Sequence, residues 1–309
     1  MKKIIVRAAV IFLLVSLISL AGAAQDAKPS GRLLVASFMT MHDAFFVELG
    51  EGFKQAVEAH GDHLLLLDGQ HSREKQEKDV LEALKLRPAA IFLVPATDSG
   101  SIDGILTAAK AQGVPVIIAD TDIDVSDSMI VTKVLNDNYA AGYVAGKELV
   151  RVHPQARIGI LSFSSSKGCV ERVKGFTDAI ANEPGMQIVD TQDGHANRDG
   201  VRGVIKEFLA AHPDMNVVFA INDVSAIEAL SGIEAAGRAG KISILDVGGS
   251  PEAISLIKDG KLLSTSAQFP KEIAKVAVDS VYAFLDGKHV EKVIRVPVKL
   301  ITKTNANGF

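Results

Sequence analysis

Short apolar runs alternate with amphipathic helical stretches from residue 33 almost to the end of this 309-residue chain, and no other feature constrains the fold as much. The runs fall at residues 33–38, 64–67, 90–94, 114–119, 158–163, 186–189, 217–221, 242–247 and 262–267. Runs of this length, rich in leucine and β-branched residues, suit strands buried on both faces, as in a parallel sheet. Between them lie helical stripes: Phe46, Leu49, Phe53, Ala56 and Val57; then Val80, Leu81 and Leu84; then Ile205, Phe208 and Leu209. Gly61, Gly113, Gly185 and Gly240 stand just before strands, where helix ends favour a left-handed residue. Pro154 and Pro213 prevent the preceding helices from continuing.

Repeated β-α-β units predict an α/β fold of doubly wound parallel sheets. Ten or so strands are many for one such sheet, so two smaller sheets are expected. The polar interruption Leu135-Asn136-Asp137-Asn138 marks the break between them. No Gly/Ser/Pro-rich linker separates the halves, which are alike in element order but show no close internal repeat.

The N-terminus carries a different kind of message. Lys2, Lys3 and Arg7 precede an uncharged apolar run at 8–20, and Ala21-Gly22-Ala23 follows with small residues. That is the pattern of a secretory signal peptide, residues 1–24, cleaved after Ala23 or Ala24. The run is short of the roughly 20 residues that span a bilayer, although an uncleaved anchor is the alternative reading. Discounting those three cations takes the formal charge from −4 to −7. A mildly acidic chain with scattered Lys and Arg has no electrostatic reason to seek nucleic acid or anionic lipid. Cys169 is the sole cysteine, so no intramolecular disulfide is available; a small packing residue is the expected role.

In open α/β sheets, ligands sit beyond the carboxyl ends of the strands. The residues there are His42, Asp43, Phe45 and Phe46; Thr97 and Asp98; Asp120, Thr121 and Asp122; Ser164, Ser165, Ser166 and then Arg172; Asn222 and Asp223; Asp246; and Gln268. Carboxylates, amides and a guanidinium form the mixture that sugars and polyols require, because each hydroxyl both donates and accepts. Adjacent phenyl rings can cover the C–H faces of a sugar. Plainer readings stand beside these. Asp43 can be only an N-cap, Phe46 belongs to a buried stripe, Asp120 and Asp122 can be turn formers, and Arg172 can be a solvated surface residue.

Enzyme motifs fail in detail. Gly248-Gly249-Ser250-Pro251-Glu252 breaks G-x-S-x-G at its last position, and residues 142–147 read G-x-x-x-G-K, one spacer short of a P-loop. H-E-x-x-H is absent. His60 and His63, flanking Gly61, suggest a solvated loop rather than a metal site. The residues therefore point to binding, with no catalysis, cofactor or metal expected.

A series of motifs occurs in order: Ala44-Phe45-Phe46, Pro95-Ala96-Thr97-Asp98-Ser99, Val114-Pro115-Val116-Ile117 leading to Asp120, Asp137-Asn138-Tyr139-Ala140-Ala141-Gly142, Glu171-Arg172-Val173-Lys174-Gly175-Phe176, Phe219-Ala220-Ile221-Asn222-Asp223, and Gly260-Lys261-Leu262 through Ala267-Gln268. On these the chain resembles the ribose-binding group of periplasmic sugar-binding proteins, which are similar in turn to the ligand-binding cores of lac-repressor-type regulators. The resemblance implies two Rossmann-like lobes joined by three strands and closing on a monosaccharide or polyol. It places the lobes at 31–136 plus 269–299 and at 137–268 plus 300–309, with crossings near Asn136/Asp137, residues 266–268 and Lys299/Leu300. It also implies a monomer in the periplasm that delivers its ligand to an inner-membrane ABC permease, or that serves a chemoreceptor or sensor kinase instead.

By the same resemblance Asp43, Phe45, Phe46, Asp120, Thr121, Arg172, Asn222, Asp246 and Gln268 contact the ligand. Four positions depart from the ribose binders: Thr121 stands for a second Arg, Pro95 for Asn, Ala196 for an aromatic ring and Gly248 for a ligand-binding Asp. Asp246, two residues before Gly248 and on the same strand face, is a partial substitute from a different depth. The resemblance thus implies the class and leaves the particular sugar open.

Overall fold

The computed structural model describes residues 31–96 and 102–309. The expected signal peptide, and Thr97 and Asp98, lie outside the described residues. Two six-stranded sheets organise the chain. The first holds β1 (Leu33–Phe38), β2 (His63–Asp68), β3 (Ala90–Leu93), β4 (Val116–Asp120), β5 (Lys133–Asn136) and β11 (Val293–Val296), in the order β11-β5-β4-β3-β1-β2. The second holds β6 (Ala156–Ser162), β7 (Met186–Asp193), β8 (Val217–Ala220), β9 (Ser243–Gly248), β10 (Ser264–Ala267) and β12 (Lys299–Thr302), in the order β12-β10-β9-β8-β6-β7. Every pairing is parallel except that of β12 with β10.

Alternation along the strands explains why both sheet faces are covered. In β1, Leu34, Ala36 and Phe38 join one core while Val35 joins another. The first core includes residues of α1 (Ala44–Glu58) and α9 (Pro270–Leu285); the second includes residues of α2 (Arg73–Leu84) and α3 (Asp103–Ala111). In the second sheet Ile158 and Ile160 pack towards α4 (Asn138–Val152) and α5 (Lys167–Ile180). Leu161 packs towards α6 (Arg198–Ala211), α7 (Asp223–Ala235) and α8 (Pro251–Lys258). A strand that feeds two cores must be apolar at successive positions, which is the run pattern of the sequence.

The chain passes between sheets three times. It leaves β5 at Asn136 for α4, leaves β10 at Ala267 for α9, which lies against α1, and leaves β11 at Val296 for β12 at Lys299. Four helices that follow strands are started by side-chain caps, whereas α9 has none. Asp137 accepts from the Ala140 N–H, Ser166 from Cys169, Asn222 from Ser225 and Ser250 from Ala253, each satisfying an otherwise orphaned donor.

Two expectations need correction. Gly61, Gly113 and Gly240 are left-handed, but Gly185 is not. It is small because a Cβ there would lie 2.1 Å from the Pro154 carbonyl oxygen, so close backbone approach is the requirement. His60 is exposed in the turn after α1, as expected, with its ring stacked on Tyr282 at 3.8 Å, but His63 opens β2 rather than lying in a loop. Among the described residues no group of His, Cys, Asp or Glu is arranged to hold a metal ion, and no helix is long and apolar enough to cross a membrane.

Candidate functional site

Asp120 ends β4 with φ +64°, a left-handed conformation that an L-residue adopts only under local constraint. The constraint is visible. The Thr121 N–H turns back to the Ala119 carbonyl at 2.8 Å, and the Thr121 hydroxyl donates to Asp120 Oδ2 at 3.3 Å. Asn136, at the end of β5 where the chain leaves the first sheet, donates from Nδ2 to Asp120 Oδ1 at 2.7 Å. Burial pushes the Asp120 carboxyl upward, while the Arg172 guanidinium and the bonds from Thr121 and Asn136 pull it back down.

Arg172 approaches from the second sheet. It lies in α5, whose start is fixed by the Ser166 cap. Its Nε donates to Asn138 Oδ1 at 2.8 Å and its Nη1 to the Ile221 carbonyl at 2.7 Å, just past the end of β8. These bonds commit two of the five guanidinium N–H donors and orient the plane. Arg172 is half-buried rather than a solvated surface residue. Its positive charge acts on the Asp120 carboxyl, so a guanidinium from a helix of the second sheet lies within electrostatic reach of an acidic strand end of the first.

The remaining expected residues differ in burial and partners. Asn222 caps α7 with Oδ1, which accepts from the Ser225 N–H at 2.9 Å and leaves its amide hydrogens available. Gln268, one residue beyond β10, is 9% exposed, and its Nε2 has no hydrogen-bond partner. Asn136 Oδ1 is likewise buried without a partner. Asp43 occupies the N-cap position of α1, yet its side chain makes no cap bond, so capping does not account for it. Phe45 and Phe46 meet edge to face at 5.3 Å; both pack partly on the first-lobe core and both keep accessible surface. They follow β1, which lies two strands from β4.

Asp246 is placed differently from the rest. It is fully buried, and neither carboxyl oxygen has a hydrogen-bond partner. It therefore lies beneath the surface that Gln268 and Arg172 help to form. Desolvation, then the neighbouring Asp223 carboxylate, raises its pKa well above the ordinary range, and Thr265 and Arg172 oppose this only partly. Asn138, which orients Arg172, is absent from the residues expected on sequence grounds; its place as first residue of a helix after a strand is the signal that marked its neighbours.

Paired doubly wound sheets joined by three crossings define a two-lobed α/β fold of the periplasmic binding protein type. The pattern of the family described as "Periplasmic binding protein domain" matches residues 35–289. The chain is 31% identical over 287 residues to the ribose import binding protein of Bacillus subtilis (strain 168), spanning 90% of this chain and 92% of that protein. It is 30% identical over 249 residues to the galactofuranose-binding protein of Escherichia coli (strain K12), spanning 77% and 78%. Its fold matches, with a TM-score of 0.83 and 26% identity, the periplasmic binding protein component of the arabinose ABC transporter from Shewanella sp. ANA-3, bound to α- and β-L-arabinofuranose; 89% of this chain and 93% of that one are covered. The chain belongs to the periplasmic binding protein family, and these three relatives are binding proteins rather than enzymes.

Proposed function

We propose that this protein is the periplasmic receptor of an ABC importer and binds a monosaccharide or polyol between its two lobes. The observation that supports the reading is that Asp120, held by Asn136 at the end of the first sheet, feels the charge of Arg172, a planar donor held by the Ile221 carbonyl in the second. A ligand bonded to both stabilises the closed arrangement of the lobes over an open one and shifts that equilibrium. Ligand hydroxyls also suit the buried, unpartnered Gln268 Nε2 and Asn136 Oδ1, since such groups are costly to leave unsatisfied. Asp43, Phe45, Phe46, Thr121 and Asn222 complete the proposed site, the phenyl rings covering apolar faces of the sugar. The relatives named for ribose and galactofuranose support the ligand class.

In this proposal the lobes comprise residues 31–136 plus 269–298 and 137–268 plus 299–309, because Lys299 opens β12 of the second sheet and is not the end of the first lobe as expected. Residues 1–24 direct export and are removed, and the monomer hands its ligand to an inner-membrane permease. Isothermal titration calorimetry of the mature chain against D-ribose, D-allose, L-arabinose, D-galactose, D-tagatose and myo-inositol tests the reading. At least one should bind, and Arg172→Ala should weaken that binding by about 10- to 100-fold, the effect of losing a hydrogen bond to a charged group. A folded protein that binds none contradicts the proposal.

A further inference from the structure

The second lobe lacks a side chain at Gly248, at the carboxyl end of β9, and the structure fills that space from elsewhere. A Cβ built on Gly248 would lie 2.2 Å from Asp223 Oδ2, so the Asp223 carboxylate occupies the volume in which a side chain at 248 would begin. Asp223 is the first residue of α7 and is only partly buried. Its Oδ1 accepts from the Gly249 N–H at 3.1 Å and its Oδ2 from the Ser250 N–H at 3.0 Å, which fixes the carboxylate against the start of α8. An ionised carboxylate has about four acceptor positions, and these bonds use two.

Below it lies Asp246, on the same strand face as Gly248 and two residues earlier. Asp246 and its cross-strand partner Thr265 are wholly buried, and neither carboxyl oxygen of Asp246 nor the Thr265 hydroxyl is satisfied. The charged groups acting on Asp246 are Asp223 from α7 and Arg172 from α5; β10 contributes the uncharged Thr265. Its other strand neighbour, Ala220 of β8, is apolar. Burial, then the neighbouring Asp223 carboxyl, raises the Asp246 pKa, which favours its protonated form. In that form Asp246 can donate, and Asp223 is the carboxyl group whose influence it feels.

The chemistry of the lobe gives this arrangement a purpose. Arg172 offers only donors, Gln268 presents an unpartnered Nε2, and Asn222 commits its oxygen to the α7 cap. The acceptors among these three are amide oxygens only, and Asp223 adds a carboxylate acceptor beside them for a ligand hydroxyl that must donate. We propose that Asp223, standing in the space left by Gly248, is the second lobe's carboxylate acceptor for a ligand hydroxyl, and that Asp246 is the positioning acid that orients it from below. This rests on the sugar-binding reading above.

The test combines calorimetry on the mature chain, using the same six-compound panel, with carboxyl footprinting by a water-soluble carbodiimide and mass spectrometry. For the compound that binds the native chain tightest, Asp223→Asn should reduce affinity at least tenfold. Asp246→Asn keeps an N–H donor beneath Asp223 and should stay within threefold of the native chain. Asp246→Leu keeps the volume, removes the donor, and should lose at least fivefold; rescue by Asn but not Leu separates orientation from packing. Footprinting needs no variant to fold: Asp223 should label in the free protein and be protected at saturating sugar. Binding by Asp223→Asn within twofold of the native chain, or labelling of Asp223 that sugar leaves unchanged, overturns this assignment alone. A native chain that binds no panel member overturns the sugar reading and this assignment with it.

Discussion

Asp120 gathers three unfavourable conditions at one position: a left-handed backbone, a desolvated carboxylate and a place at the end of a buried strand. Each is tolerated only because neighbours hold it there, and Asn136, Thr121 and Arg172 are those neighbours. Asp246 has less of such help. Its pKa is raised in the folded chain, so folding takes up a proton that the unfolded chain has released. Its contribution to stability is therefore greatest below the ordinary Asp pKa of about 4 and falls as pH rises towards the folded value. Asp246→Asn carries no such proton. Urea denaturation should find it matching the native chain near pH 4 and gaining on it as pH rises, by about 1.4 kcal/mol per pH unit until the folded pKa is passed. A native chain whose advantage over the variant grows towards neutral pH would reverse this account. Asp120 could be singled out in the sequence from its place at a strand end, whereas Arg172, six residues into α5, is suggested by the family resemblance. Depth was not legible: period two puts Asp246 on the face of Gly248 but does not say that one lies sealed beneath the surface. Asp223 was visible after β8, yet its importance depends on a Cβ that Gly248 lacks and on a contact across 25 residues of chain.

Helices α4 and α5 set the position of Arg172, and glycine makes their packing possible. A Cβ on Gly142 would lie 1.8 Å from the Arg172 carbonyl oxygen, and one on Gly175 would lie 2.0 Å from that of Tyr139. Backbone meets backbone here, so no side-chain rotation relieves an added methyl. Gly142→Val should lower unfolding free energy by about 1–3 kcal/mol in urea titration and weaken ligand binding, because the displaced segment carries Arg172. Gly203 is the control, since a Cβ there would meet nothing within 4 Å: Gly203→Ala should leave binding unchanged. At this scale the sequence was readable where burial on both faces enforced continuous apolar runs. It was less so at β11 and β12, which are four-residue edge strands carrying Arg295 and Lys299 and only partly buried. An edge strand needs less apolar surface and leaves a weaker trace. The third crossing accordingly runs from Val296 to Lys299, slightly before its expected place.

Across the whole molecule, two sheets of like order come together through side chains of opposite charge. Lys167 at the start of α5 lies 2.5 Å from Asp124 in the β4–β5 connection, and Arg295 of β11 lies 3.6 Å from Glu171. Exposed pairs of this kind contribute little to stability but fix which surfaces face one another. The duplicated element order was visible in the sequence, whereas these contacts, between residues distant along the chain, were not. The centre of the functional account is Asp120 of the first sheet, whose carboxyl feels the charge of Arg172 from the second. A crystal structure of the mature chain with its tightest-binding sugar examines that centre directly. Density for the sugar between the lobes, with hydroxyls within hydrogen-bond distance of both the Asp120 carboxylate and the Arg172 guanidinium, is the expected result. A sugar bound elsewhere, with Asp120 and Arg172 touching only protein and solvent, would contradict it.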